Sequence, residues 1–187
     1  MANTDRPNGF KASKTLNGSP VSAMLRKLTV AARADSGGTP DHGDIYIGDP
    51  VKMTAAGVVT VADSGQNIYG VVAGVGIDNV DHGETGMYKA DDLETRYLPD
   101  ATAGFVWVYP KENMLFEIQS ASNLGLTVGA LADINNAAAT GHGVQLTGVS
   151  ICELTTYANG DVTVVELQTA PDNDTAAANA RYLVSIN

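Results

Sequence analysis

The chain has 187 residues, and 44% of them are hydrophobic, so it can bury a core and is too apolar for a disordered protein. It carries 11 Lys and Arg against 21 Asp and Glu, a net charge of -10. Because an acidic chain repels phosphate backbones, we expect no direct nucleic-acid binding. The lone Cys152 excludes an internal disulfide, and no cysteine pairs indicate zinc; we expect it to be a small, buried apolar side chain.

The sequence contains no sign of targeting or membrane insertion. The first ten residues lack the charged and then apolar pattern of a signal peptide, so we expect the protein to stay where it is synthesised. Glycines interrupt the longest apolar run, 68–77, which is far shorter than the roughly 20 residues that cross a bilayer. We therefore expect no membrane partner.

Residues 1–20 predict an extended N-terminal arm, because prolines and glycines recur there without apolar periodicity. The arm and the residues just after it hold much of the scarce positive charge: Arg6, Lys11, Lys14, Arg26 and Lys27. The segment 21–32 fits both a helix and a strand, and we favour a strand after a short irregular start.

From residue 45 onward the chain predicts short strands and tight turns. Residues 45–53 alternate around a Gly48-Asp49-Pro50 turn, residues 55–57 read as a hairpin turn, and 58–61 return as a strand. Residues 68–77 predict the next strand, whose glycines allow bends or close packing.

The second half continues with the same period of two. Phe105, Trp107 and Tyr109 lie on one face of a predicted strand and valines on the other, and residues 115–119 alternate likewise. Closing strands are predicted at 149–154, 162–167 and 182–186. Strands separated by turns about every ten residues predict an all-β fold, a small β-barrel or β-sandwich with the extended arm.

This organisation divides the chain into three parts: the arm at 1–20, a first β subdomain at 21–120, and a second at 121–187 that completes the body. The pattern leaves open whether the body is one barrel or two stacked small ones.

No motif predicts catalysis. The glycines at 70, 74 and 76 precede no helix that would present N–H groups to a phosphate, and no nucleophile lies at a recognisable spacing from a base. The segments 41–44 and 81–84, each with two carboxylates around a histidine, can hold a metal if the loops meet, but turn chemistry is the favoured explanation. We predict no enzyme and no catalytic, cofactor or metal site.

The aromatic face at 105–109 has two interpretations. Such a stripe often belongs to a core, but an exposed one can stack a sugar ring. A carbohydrate-binding β module therefore remains an alternative function.

Several stretches, taken in order, carry a resemblance that covers nearly the whole chain: "MANTDRPNGF", "LNGSP", "IYIGDPVKMTAAGVV", "IYGVVAGV", "TRYLPD", "WVYPKENMLFEIQ" and "APDNDTAAANARYLVSIN". Their succession resembles the capsid decoration (cement) proteins of tailed bacteriophages. Leu98 departs from that family, which typically has tryptophan there. The pattern between "GDPV" and the strand after it (strand, turn, "G-x-V", loop, "G-V") is also similar, more loosely, to the β-tulip of the lambda-type head decoration protein.

The resemblance implies a β-rich body, homotrimers at local three-fold points of the capsid, and contact with the major capsid protein, without catalysis or cofactor. We accordingly expect a structural virion protein, made in the bacterial host cytoplasm, that stabilises the capsid exterior by bridging major capsid protein subunits. The resemblance transfers no binding residue. The charge of the arm instead suggests a capsid contact through Arg6, Phe10, Lys11 and Lys14.

Overall fold

The computed structural model describes residues 3–30, 44–54, 57, 59–77, 96–99, 103–136 and 147–187. These residues form antiparallel strands and one short 3-10 helix at Val21–Met24, which confirms the predicted all-β fold. The strands are β1 (Lys11–Thr15), β2 (Arg26–Val30), β3 (Pro50–Met53), β4 (Val59–Val61), β5 (Gly70–Ile77), β6 (Gly104–Pro110), β7 (Met114–Gln119), β8 (Leu131–Asn135), β9 (Glu153–Thr155), β10 (Val162–Leu167) and β11 (Arg181–Ile186).

The strands form two sheets. The smaller has the order β2-β6-β5-β3-β4, and its two edge strands, β2 and β4, lie against each other, so this sheet is rolled into a small open barrel. The larger has the order β1-β7-β11-β10-β8-β9. The contact between β2 and β4 shields these edges from pairing with other chains.

The inside of the rolled sheet is filled by aliphatic side chains. Alternation along each strand directs every second residue inward. The buried set comprises Val30, Ile45, Val51, Val59, Val72, Leu98, Val106 and Val108.

The two sheets share a second, larger core. Val71 and Val72 are consecutive and point to opposite faces of β5: Val72 lies inside the roll, and Val71 packs in the larger cluster with Phe116 and Tyr182. Each sheet therefore covers one side of a common layer, and the body is one packed unit.

The chain passes from one sheet to the other at residues 110–114, and the subdomain boundary suggested at residue 120 stays a prediction. The chain leaves the smaller sheet at Pro110 and enters the larger at Met114. The larger sheet also includes β1, from the predicted arm. The sequence does not reveal that β1 belongs to the larger sheet, because β1 pairs with β7, a strand about a hundred residues away.

The hairpin predicted around residues 55–57 is present, whereas β5 pairs with β3 and not with β4. β3 and β4 pair with Val51 opposite Val61 and Met53 opposite Val59. The turn between them is closed by the N–H of Gly57, which donates to the carbonyl of Thr54 at 2.9 Å. The other turn residues, 55, 56 and 58, lie outside the described part.

The N-terminal arm is extended, as expected, but it packs on its own body. β1 pairs with β7 from Lys11 opposite Glu117 to Thr15 opposite Met114. Phe10 is 3% exposed, and its ring meets Phe116 edge-on with centroids 6.0 Å apart. One buried aromatic side chain and a strand ladder therefore fasten the arm to its own body.

Gly48 is where the arm crosses the Gly-Asp-Pro turn. Its φ is +93°, and a Cβ there would lie 2.6 Å from the carbonyl oxygen of Asn8. The N–H of Phe10 donates to the Gly48 carbonyl at 2.9 Å. Glycine is required at this position by backbone conformation and by the approach of a second backbone.

Candidate functional site: a polar groove on the larger sheet

A groove of about 320 Å³ lies on the outer face of the larger sheet. Glu117 and Gln119 of β7 and Arg181 of β11 form its floor. Residues 3–9 form one wall, and the segment that precedes β11 forms the other. Its volume is at the lower end of the range for ligand pockets.

Gln119 fastens the N-terminal wall to the floor. Its side-chain oxygen accepts the N–H of Arg6 at 3.1 Å, and its amide donates to Asp5 at 3.0 Å and to Glu153 at 2.8 Å. Burial raises the pKa of Glu153, the hydrogen bond from Gln119 lowers it, and the charge of Asp5 raises it again, so that the net direction is upward. Every polar group of the Gln119 amide is used within the protein.

Asn3 joins the two walls. Its amide donates to the carbonyls of Asp174 at 2.8 Å and Ala178 at 2.9 Å, and its side-chain oxygen accepts the N–H of Asp174 at 2.7 Å. Together with Gln119, this amide holds the groove open in a fixed shape.

The charges in the groove are unequally matched. Arg181 lies 2.8 Å from Asp172 and 4.0 Å from Glu117, so these three charges neutralise one another in part. Within the described part of the chain, neither the Arg6 guanidinium nor the Lys11 ammonium makes an ion pair. The groove of an acidic protein thus presents two cations with no partner among the described residues.

The four residues expected to contact a capsid separate in the structure. Arg6 and Lys11 line the groove together. Lys14 lies outside it and pairs with Glu166 at 2.6 Å. Phe10 is a core residue, so its side chain is turned away from any surface contact.

Lysines on an edge strand also have a structural explanation, because they discourage sheet-to-sheet aggregation. β1 is an edge strand, and that explanation covers Lys11 and Lys14. It does not cover Arg6, which precedes the strand and lines the same groove.

The aromatic stripe on β6 is divided between surface and core. Tyr109 packs against the larger core, whereas Trp107 is 37% exposed. The Phe105 and Trp107 rings meet edge-on with centroids 4.7 Å apart, and Lys27 lies 3.9 Å above the Phe105 ring. The Phe105 ring covers Gly76 of β5, where a Cβ would clash with it, and the Trp107 ring lies over Gly74.

The Gly-Asp-Pro turn holds a buried carboxylate that the sequence did not reveal. Asp49 is 2% exposed and accepts the N–H of Tyr46 at 2.8 Å. Burial raises its pKa to about 6, although hydrogen bonds from Ser150 and from the Tyr46 N–H oppose the shift. This carboxylate ties the turn to the segment around Ser150, so it has a structural role and does not face a ligand.

The two loops considered as a metal site fall largely outside the described residues. Of the segments 41–44 and 81–84, only Asp44 is described, and it accepts the Tyr46 hydroxyl at 2.9 Å. Among the described residues, no three side chains of metal-binding type gather into a cluster. Cys152 is buried, as predicted, and burial raises its pKa.

Sequence reasoning identified the cations of the groove but missed the amides that build it. Nothing in the pattern around Asn3 or Gln119 distinguishes them from surface residues, because their partners lie more than a hundred positions away. In the described ranges, no helix is long and apolar enough to span a membrane. Comparison of the chain with protein-family models, with curated proteins and with solved structures finds no significant match in any of the three.

Proposed function

We propose that this protein is a structural virion protein that binds the outer surface of a tailed-bacteriophage capsid as a homotrimer and bridges major capsid protein subunits. The ordered sequence motifs that resemble decoration proteins support this, and the all-β body is compatible with it. The observation that carries the proposal is the groove, whose walls are fixed by hydrogen bonds and whose lining residues Arg6 and Lys11 make no ion pair with any described residue.

The physical mechanism is the addition of contacts that must break before the shell opens. Packed DNA presses outward on a capsid, and the weak points lie where capsomers meet. A protomer that buries about 800 Å² against the shell makes a contact of standard specific size. Three linked protomers release slowly even when each contact is modest, because one can rebind while the others hold.

The charge distribution would also favour one orientation of the protein on the capsid surface. The chain as a whole carries a net charge of -10, so it is repelled by an acidic shell surface except where its cations face that surface. Arg6 and Lys11 would select one docking orientation, with the outer face of the larger sheet toward the shell.

Thermal DNA release tests this function. Particles of the source virus that lack this chain should release DNA at a lower temperature than complete particles, as followed with a DNA-binding dye. Addition of the purified wild-type chain should restore the release temperature. An unchanged release temperature, together with no binding of the added chain, would contradict the proposal.

A carbohydrate-binding β module remains the second candidate, because Trp107 is 37% exposed beside Phe105. Trp107 is the only tryptophan, so its fluorescence reports this site alone. A sugar that stacks on the ring should shift the emission and protect it from acrylamide quenching. Titration with mixed bacterial surface oligosaccharides that leaves emission and quenching unchanged would remove this candidate.

A further inference from the structure

We propose that the groove binds an extended acidic segment of a neighbouring protein chain, with carboxylates of that segment paired to Arg6 and Lys11. The assignment of the neighbour to the capsid shell rests on the proposed function. The chemistry of the groove does not, since it follows from the residues that line it.

The groove is built before any ligand arrives. Gln119 holds the backbone at Arg6, and Asn3 holds the segment at 174–178, through hydrogen bonds of 2.7 to 3.1 Å. A pre-organised site loses less conformational entropy on binding than a mobile arm does. The N-terminal residues therefore act as a fixed wall that presents charge, not as a strand that searches for a partner.

The lining, with Arg6, Lys11 and Arg181 against two carboxylates, favours a ligand whose negative charges are spread out. Arg6 and Lys11 supply two cations on the N-terminal side of the groove, while Glu117 and Asp172 remain in the lining near Arg181. A compact phosphate of charge near -2 would meet these carboxylates as well as the cations. Single carboxylates on successive side chains can approach each cation separately.

The rest of the lining suits a polypeptide. Thr4, Asn8 and Asn179 add neutral polar groups that can hydrogen-bond a backbone, and the volume of about 320 Å³ accommodates a few side chains. A nucleic acid would bring one phosphate per nucleotide toward a chain of net charge -10. An acidic peptide segment is therefore the ligand that the groove fits best.

The test uses the full chain and a capped hexaglutamate peptide, titrated by calorimetry at low salt, where surface charges are least screened. The charge-removing variants are Arg6→Gln, Lys11→Gln and the double variant. Lys27→Gln is the control for loss of charge, because it removes an exposed lysine from the edge strand of the other sheet, and its unfolding temperature is measured as well because Lys27 contacts the Phe105 ring. Both groove residues use only backbone groups in the fold, so the variants should keep the wild-type unfolding temperature.

We expect each groove variant to weaken hexaglutamate binding about two- to fivefold, and the double variant about tenfold, while Lys27→Gln has no effect. Equal weakening by Lys27→Gln, or no weakening in the double variant, would overturn the groove as the site. Tighter binding of a thymidine hexanucleotide than of hexaglutamate would overturn the acidic peptide as the ligand class. Because the titration contains no capsid, its outcome is independent of whether the protein is found on virions.

Discussion

The Nζ of Lys14 lies 2.6 Å from Glu166, although β7 and β11 separate their strands. Three strand spacings amount to about 14 Å, so the two side chains must reach toward each other over the outer face of the sheet. Leu115 and Leu183, on the intervening strands, are 2% and 1% exposed and belong to neither core cluster. In the strand register Lys14 lies opposite Leu115 and Glu166 lies opposite Leu183, so the ion pair lies on the same face of the sheet as the two leucines.

We predict that Lys14 stabilises the fold through its stem more than through its charge. Both partners of the pair are about half exposed, and such pairs contribute about 0 to 1 kcal/mol. Lys14→Met should change the free energy of unfolding by less than about 0.5 kcal/mol, whereas Lys14→Ala should lower it by about 1 kcal/mol as Leu115 becomes exposed. The midpoints of urea denaturation measure both changes. Equal losses of stability in the two variants would show that the charge of Lys14 matters more than its stem.

The N-terminal segment is predicted to be part of the core. Phe10→Ala should lower the free energy of unfolding by about 3 to 5 kcal/mol, because it leaves a cavity beside Phe116. Leu16→Ala is the matched control on the same segment, since Leu16 is 64% exposed and should cost almost nothing. Chemical denaturation of both variants is the measurement. A Phe10→Ala variant as stable as the wild type would mean that the segment is not held on its own body.

Thr60 offers a stabilising substitution. Its hydroxyl is buried and has no hydrogen-bond partner among the described residues. Thr60→Val removes an unsatisfied polar atom at nearly constant shape, so it should raise the free energy of unfolding by about 1 kcal/mol. Thr15→Val is the control with the opposite sign, because the Thr15 hydroxyl donates to the carbonyl of Ser19 at 2.6 Å. Thermal unfolding would contradict the assignment if both substitutions lowered the melting temperature.

Asp49 should make the protein less stable as the pH rises through the weakly acidic range. Its pKa is raised to about 6 by burial, above the usual value near 3.8, so the folded state holds this proton more tightly than the unfolded state. Between about pH 4 and pH 6 the free energy of unfolding should therefore fall by about 3 kcal/mol from this group alone. Asp49→Asn should flatten this part of the curve, because the amide oxygen of the new side chain can still accept the N–H of Tyr46 but does not titrate. If the substitution leaves the dependence of the free energy of unfolding on pH unchanged, the buried carboxylate of Asp49 is not its cause.

Asp133 should have the opposite effect on the pH dependence of the free energy of unfolding. Burial raises its pKa, but the N–H groups of Gly160, Asn159 and Ala158 outweigh that effect, so the net pKa is lowered. Its contribution is then fully present above the ordinary aspartate pKa and is lost as the pH falls through the lowered value. Asp133→Asn should cost more stability at pH 7 than in strong acid. Denaturation curves in which the cost is equal at both pH values would contradict this.

Local patterns were sufficient to predict most of the strands. The alternation at 45–61 and 105–109 correctly indicated a hairpin and a strand with two different faces, because each signal lies within a few residues. The ambiguous start at 21–32 also resolved as expected, with a 3-10 helix before β2.

The features that the sequence did not reveal depend on contacts between residues that are far apart in the chain. β1 contains the sequence KASKT, which lacks a run of apolar residues, and it becomes a strand only because β7 offers an unpaired edge. Likewise, Gln119 and Asn3 fix the walls of the groove through hydrogen bonds to residues more than a hundred positions away in the sequence. The cations of the groove were predictable from charge, whereas its fixed shape was not.

The copy number of this chain in purified particles of its source virus, relative to the major capsid protein, tests the proposed function most directly. A decoration protein at the local three-fold points should be present at one copy per capsid subunit, or at a small-integer ratio. Absence from the particles, or only a handful of copies, would contradict the capsid assignment and favour a tail, fibre or sugar-binding role.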